Sequence, residues 1–435
     1  MEKLTHSEVI NLMLQLAVML AAGRFLAEVS RKLKQPAVVG EIMAGILLGP
    51  TLLGSVFPET FQVLFPITGA SAQVLDGFIQ VAVVLLLFIA GLEVDLQIVW
   101  QQGKQALYTS FFALVIPFII GFAVTYAFPS FFLLDNESNR IVFSLFIGTT
   151  IAITALPVIA RILMDLDVFK SNMGMLIIAS AMIIDLLGWL IFSVILSLMG
   201  GPGQEKMGLG QTIGLTVGFT IGMLTLGKWL INRSLPWINS RLAWPGGLLS
   251  LSLALCFVAA AFTEFIGIHA IFGAFIIGVA LGDSEHLTER AKEIVHHFIN
   301  NIFAPLFFVS LGLHVNFVES FNLPLILVFL VLAFIGKVSG AFTGARIGGL
   351  GKHQSWAVGF GMNTHGALEV ILGAIALNAG LISEEIFVAI LVMVVVTIIV
   401  SGPLMRYSLR QIDNEQLKKA SETVSVIPEP EIKNT

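Results

Sequence analysis

The sequence predicts an all-α polytopic membrane protein with thirteen transmembrane helices, on three observations. Of its 435 residues, 57% are hydrophobic and only 12% are charged, about half the charged share of an ordinary soluble domain. Apolar stretches recur from residue 7 to residue 407, each near the roughly 20 residues that a helix needs to cross the hydrocarbon core. Ten-residue segments of alternating polarity, the signature of a membrane β-barrel, are absent.

In order, the predicted crossings lie at 7–29, 37–56, 76–94, 105–128, 140–164, 171–199, 209–231, 247–265, 268–283, 298–313, 322–347, 355–380 and 384–407. The first lacks a basic flank and a small-residue cleavage site, so it reads as a retained helix and not a signal peptide. With the N-terminus outside, 18 of the 23 basic residues fall in cytoplasmic segments and three (Lys3, Arg140, Lys206) outside, as the positive-inside rule requires. Arg24 and Lys337 remain within helices. The chain therefore divides into a membrane domain, 1–410, and a polar cytoplasmic tail, 411–435, expected to be disordered. The single Cys256 can form no intrachain disulfide. A net charge of −5 and the lack of a basic patch give no sign of nucleic acid.

Ionisable side chains at the bilayer centre cost about 2.5–3.5 kcal/mol each on insertion scales, so those present need a reason. Asp185, in IIDLLGW, lies mid-way along the sixth stretch, and Lys337, in FIGKVSGAF, near the middle of the eleventh. The fifth stretch has Thr149, Thr150 and Thr154 followed by Pro157, which cannot continue a helix, so a break near Ile153 to Pro157 is expected. The twelfth concentrates Asn363, Thr364, His365 and Gly366, with Glu369 one turn on, and reads as a second interrupted helix. The two lie seven crossings apart, an odd number, so they run in opposite directions. That arrangement suits inverted repeats, about 7–199 and 247–407 with the linker helix 209–231, whose broken helices surround a midplane site.

Each residue also has a structural reading. Asp185 and Lys337 could form a stabilising ion pair, and membrane threonines commonly bond back to their own backbone. Glu41, Glu93 and Arg161, near the predicted cytoplasmic ends, suit structural ion pairs as well as an entry funnel. Glycines 336, 340, 344 and 348 form a helix-packing stripe. The loop 283–298 reads as a solvated helix.

Seven blocks in order resemble the monovalent cation/proton antiporters of the cation:proton antiporter-2 type, which include bacterial sodium/proton antiporters, plant cation exchangers and the membrane part of potassium-efflux systems. They are QPAVVGEIMAGILLGPTLLG, LLLFIAGLEVDL, AITALPVIARIL, IIDLLGW, GIHAIFGAFIIGVALG, LFFVSLGLHVNF and GFGMNTHGALEVIL. The resemblance implies two inverted repeats, a core domain moving against a dimerisation domain, crossed broken helices and a homodimer. It makes Asp185 the essential carboxylate, Thr154 the hydroxyl beside the ion and Lys337 the basic residue of the core. One departure is Ile184, where the family usually has Asp, Asn or Gln.

The function expected is secondary antiport, not enzymatic: Asp185 takes either a proton or Na+, K+ or Li+, with Thr154 as a further ligand of the transported ion. Lys337, Thr150, Asn363, Thr364, His365 and Glu369 would line or balance the site. No cofactor is expected. Lys337 held charged throughout gives one proton per cation; Lys337 losing its proton gives two. The membrane is a bacterial-type inner membrane or an internal energy-transducing one such as the thylakoid. The alternatives are a sodium-coupled organic-anion symporter, which would dispense with Lys337; an intramembrane aspartyl protease, which needs a second facing carboxylate; and a channel.

Overall fold

The computed structural model describes residues 5–33, 35–66, 68–134, 139–166, 168–199, 209–241, 246–284 and 287–425. Within them every regular element is a helix. The first repeat region holds α1 (His6–Lys32), α2 (Ala37–Leu48), the short α3 (Leu53–Val56) and α4 (Pro58–Leu64), α5 (Ala70–Leu92), α6 (Leu96–Ala127), α7 (Arg140–Ala152), α8 (Leu156–Asp165) and α9 (Asn172–Met199). A π-helical turn, Met223–Gly227, joins α10 (Leu209–Gly222) to α11 (Lys228–Arg241). The second region holds α12 (Gly246–Phe265), α13 (Ala270–Gly282), α14 (Glu289–His314), α15 (Leu323–Ile347), α16 (Lys352–Met362), α17 (Ala367–Asn378) and α18 (Glu384–Ser425).

Among the described residues eleven helices are long and apolar enough to cross a membrane, and twelve if the pair α16 and α17, bent by 42°, counts as one span. The ninth predicted stretch holds only the 13-residue α13, short of the roughly 20 residues of a full crossing. Length and composition therefore give eleven or twelve spans where the sequence reading had thirteen. Large apolar side chains such as Phe25, Ile221, Leu226 and Phe265 lie exposed on the helices, as lipid-facing surfaces require.

The end of the chain differs from expectation. Instead of turning irregular after Arg410, α18 continues to Ser425; residues 426–435 lie outside the described residues. A helix already nucleated adds residues at little cost, and the run of Gln, Glu, Leu, Lys and Ala after Arg410 favours its propagation.

Two helix groups form. In the first, α6 packs on α15, α7 and α9, while α15 packs in turn on α16 and α18. In the second, α1 packs on α2, α12 on α13, α2 on α14 and α13 on α5. Exchanging α1, α2, α5, α6, α7, α9 with α12, α13, α14, α15, α16, α18 maps these pairs onto one another, which is the packing expected of a duplicated unit. Outside its own group α9 packs mainly on α10 and, more lightly, on α13 of the second group. The glycine stripe of α15 faces α6: a Cβ at Gly336 would stand 3.0 Å from Pro117, and one at Gly340 2.6 Å from the Phe112 carbonyl oxygen. Small residues here allow two backbones to touch.

Candidate functional site

The first break follows from Pro157. It lacks an N–H, and in a continuous helix its ring would collide with the Ile153 carbonyl. Accordingly α7 stops at Ala152, Ile153 is extended (φ −73°, ψ 155°), and α8 restarts at Leu156 with Pro157 in its first turn, where no N–H is needed. The second break separates Met362 from Ala367, with Gly366 extended at φ −167° and ψ −145°. There the Glu369 carboxylate, on the first turn of α17, accepts a hydrogen bond from the Gly366 N–H at 2.7 Å, a helix N-terminal cap of ordinary kind.

The two breaks meet. The Ala155 N–H donates to the Thr364 carbonyl at 2.9 Å. The Thr154 hydroxyl donates to the Met362 carbonyl at 3.1 Å, and His365 Nε2 lies 3.3 Å from the Ile151 carbonyl oxygen. Lys337, fully buried on α15, directs its ammonium to the Ala113 carbonyl at 3.2 Å and to the Ala152 carbonyl. Ala152 is the last residue of α7, so the ammonium sits against the negative end of that helix dipole. Carbonyls freed by the breaks are thus largely taken up, by donors of the opposite break and by Lys337.

Asp185 belongs to the same place. On α9 it shares a face with Gly188, three residues on, and a Cβ at Gly188 would stand 2.6 Å from Ile153 in the first break. The Leu156 N–H at the start of α8 points to the Asp185 carboxyl, and the charges of Glu369, Lys337 and Glu93 act on it. Asp185 is 4% exposed, and its Oδ1 has no hydrogen-bond partner. Asn363 donates to the Ser401 hydroxyl at 3.4 Å, and its Oδ1 is likewise without partner. Thr154, giving its proton to Met362, keeps oxygen lone pairs that can face a cation.

Other residues stand apart. The hydroxyl of Thr150 bonds back to Phe146 at 2.9 Å and that of Thr149 to Leu145 at 2.7 Å; among the threonines of this span, Thr154 alone reaches the opposite break. Thr364 caps its own helix, donating to the Gly361 carbonyl at 3.0 Å. Glu41 is buried on α2, within the field of Arg24 and Arg31. Glu93, at the end of α5, lies 3.1 Å from His296 Nε2 on α14. Arg161 is exposed on α8. Sequence reasoning missed Ser401, the partner of Asn363, although a serine before Gly-Pro inside the apolar run VVVTIIVSGPL was a visible signal. It also had no way to find Ala113, which contributes only a backbone carbonyl. Among the described residues no group of three or more His, Cys, Asp or Glu has metal-holding geometry.

Comparison with known proteins decides the family. A family model described as sodium/hydrogen exchanger, transmembrane, matches residues 16–410. The chain belongs to the sodium/hydrogen exchanger family. Members of this family are transporters, so this exchanger is not an enzyme. It is 31% identical over 396 residues to the Na(+)/H(+) antiporter NhaS4 of Synechocystis, covering 89% of this chain and 94% of that one. It is 27% identical to the Na(+)/H(+)-K(+) antiporter GerN of Bacillus cereus, covering 91% and 95%. With the K(+)/H(+) antiporter 1 of Saccharomyces cerevisiae it shares 30% identity over 86% of this chain but only 43% of the yeast protein. The exchanger likewise spans about half the length of its plant relatives, 48% of cation/H(+) antiporter 17 of Arabidopsis thaliana. Its fold matches the sodium proton antiporter MjNhaP1 of Methanocaldococcus jannaschii with a TM-score of 0.67 at 18% identity, over 92% of this chain and 98% of that one.

Proposed function

We propose that this exchanger moves a monovalent cation, Na+ with K+ and Li+ as the other candidates, against protons by alternating access at Asp185. The observation that carries the reading is a buried carboxylate oxygen without a protein partner, placed where two interrupted helices touch. Such a group is costly in the membrane interior unless it binds something there. A proton and a partly dehydrated cation both satisfy it, and they exclude each other, which couples their fluxes. Thr154 supplies a second oxygen, while Lys337 holds the α7 terminus beside it.

The group of α6, α7, α8, α9, α15, α16, α17 and α18 carries the site and moves as a unit against the remaining helices, with α9 sliding on α10 and α13. The N-terminus lies outside and the C-terminus in the cytoplasm, in keeping with the distribution of basic residues. Two copies pair through the helix group that lacks the site.

The test is reconstitution in liposomes with a trapped pH dye and an imposed pH gradient. Wild-type protein is expected to dissipate the gradient on addition of Na+, K+ or Li+, and Asp185→Asn to leave it standing. Equal behaviour of the two proteins would make Asp185 structural.

A further inference from the structure

Exchange at Asp185 leaves a second buried carboxylate at the crossing without a task. Glu369 is fully buried. One oxygen accepts from the Gly366 N–H at 2.7 Å, and the other has no hydrogen-bond partner. A helix N-terminus favours an ionised carboxylate in this position. Gly366 in turn is pressed against the first break, since a Cβ there would stand 2.6 Å from Ala155 Cβ. Glu369 is thereby fixed next to the segment whose Ala152 carbonyl holds the Lys337 ammonium. The charges of Glu369 and Asp185 both act on Lys337.

In a dry site the net charge decides which ions can enter. Asp185 and Lys337 alone would sum to zero, so an entering cation would leave an uncompensated positive charge unless Lys337 gave up its proton. With Glu369 ionised the three groups at the crossing sum to one negative charge, and one proton or one monovalent cation brings the site to neutrality; Glu93, at the end of α5, has its own partner in His296 on α14 and is not counted. His365 does not alter the sum: its Nε2 faces the Ile151 carbonyl and its Nδ1 has no acceptor for a second proton. Ile184, beside Asp185, contributes no polar group.

We propose that Glu369 is the permanent counter-charge of Lys337, a positioning residue that keeps the ammonium charged and thereby fixes exchange at one proton per monovalent cation. This rests on the exchange reading above. Both loaded states, Asp185 protonated or Asp185 holding the cation, cross the membrane with the Glu369–Lys337 pair unchanged and the site neutral.

The experiment measures, in proteoliposomes with a clamped membrane potential, the pH gradient that stops flux for a given cation gradient. For wild type the two gradients should balance one to one, at any potential. Glu369→Gln keeps an acceptor for the Gly366 N–H but removes the charge; flux should fall at least about tenfold, as an uncompensated buried ion demands. Any flux that remains should balance at a gradient that moves with potential, because Lys337 now releases its proton. The double variant Glu369→Gln/Lys337→Gln restores neutrality of the loaded site and should recover potential-independent one-to-one exchange. A wild-type balance that shifts with potential, a single variant indistinguishable from wild type, or a double variant no better than the single would each overturn the role of Glu369. Absence of cation-driven proton movement in wild type would instead remove the exchange reading itself.

Discussion

The Ala155 N–H donates to the Thr364 carbonyl oxygen at 2.9 Å, tying the extended segment of one interrupted helix to that of the other. A backbone bond in this position does two things at once. It satisfies polar groups that the breaks would otherwise expose to hydrocarbon, and it sets the distance between Thr154 on one strand of the crossing and the Asn363–Gly366 turn on the other.

That closeness is testable at Gly366. An alanine there would put its Cβ 2.6 Å from Ala155 Cβ and 3.0 Å from Val158, and neither neighbour has a flexible end to move aside. Gly366→Ala should destabilise the protein by about 1–3 kcal/mol, the usual cost of overpacking, and slow exchange. Adding Ala155→Gly removes the opposing methyl, so the double variant should regain most of the lost melting temperature and flux. Independent, additive effects of the two substitutions would show that the breaks do not touch here.

Lys228 and Asp283 provide a second test, at the helix that joins the two repeat regions. The Lys228 ammonium pairs with the Asp283 carboxylate, and the Asp283 side chain is only 4% exposed against 32% for Lys228. Beside them the Ser284 hydroxyl donates to Asn232, so α11 is fastened to the end of α13 by two polar contacts. Lys228→Met would strand a buried carboxylate. Breaking a fully buried pair costs several kcal/mol, but partial exposure of the lysine reduces the expected loss to about 1–3 kcal/mol. Thermal unfolding in detergent should show the loss for Lys228→Met and recovery in Lys228→Met/Asp283→Asn. A double variant as unstable as the single one would deny the pairing.

Hydropathy alone locates the helices because lipid admits few other structures, and Pro157 and the Asn363–Gly366 cluster mark both breaks. Asp185 and Lys337 stood out for the same reason: charge is rare in such stretches. What the sequence hid is mostly backbone. The Ala113 and Ala152 carbonyls that hold Lys337, and the Leu156 N–H facing Asp185, carry no side-chain signal at all. Thr150 lies at a similar depth to Thr154, but it is still inside α7, where its hydroxyl turns back to its own helix, whereas Thr154 lies in the break and reaches across. The polar composition after Arg410 predicts disorder, whereas the existing helix α18 carries polar helix formers past the membrane boundary.

One signal of the duplication was present in the sequence and unread. Gly40, Gly45 and Gly49 of the α2 region have the same spacing as Gly273, Gly278 and Gly282 of α13. A Cβ at Gly40 would meet the Leu26 carbonyl of α1, and one at Gly273 the Ala259 carbonyl of α12. Likewise Gly45 faces the Val309 carbonyl of α14, and Gly278 the Phe88 carbonyl of α5. The carbonyl contacts correspond in the two halves, with the Thr263 hydroxyl added at Gly273, and at Gly45 and Gly278 the nearest obstacle is main chain, which cannot rotate away. Gly45→Ala and Gly278→Ala should therefore each destabilise by about 1–3 kcal/mol and to a similar degree, measured as melting temperature in detergent. Gly77→Ala, on a surface with no heavy atom within 4 Å of the added carbon, is the control: replacing glycine in a helix should stabilise by up to about 1 kcal/mol. If Gly45→Ala and Gly278→Ala behaved like the control, α2 and α13 would not lie as close to their neighbours as the structure places them.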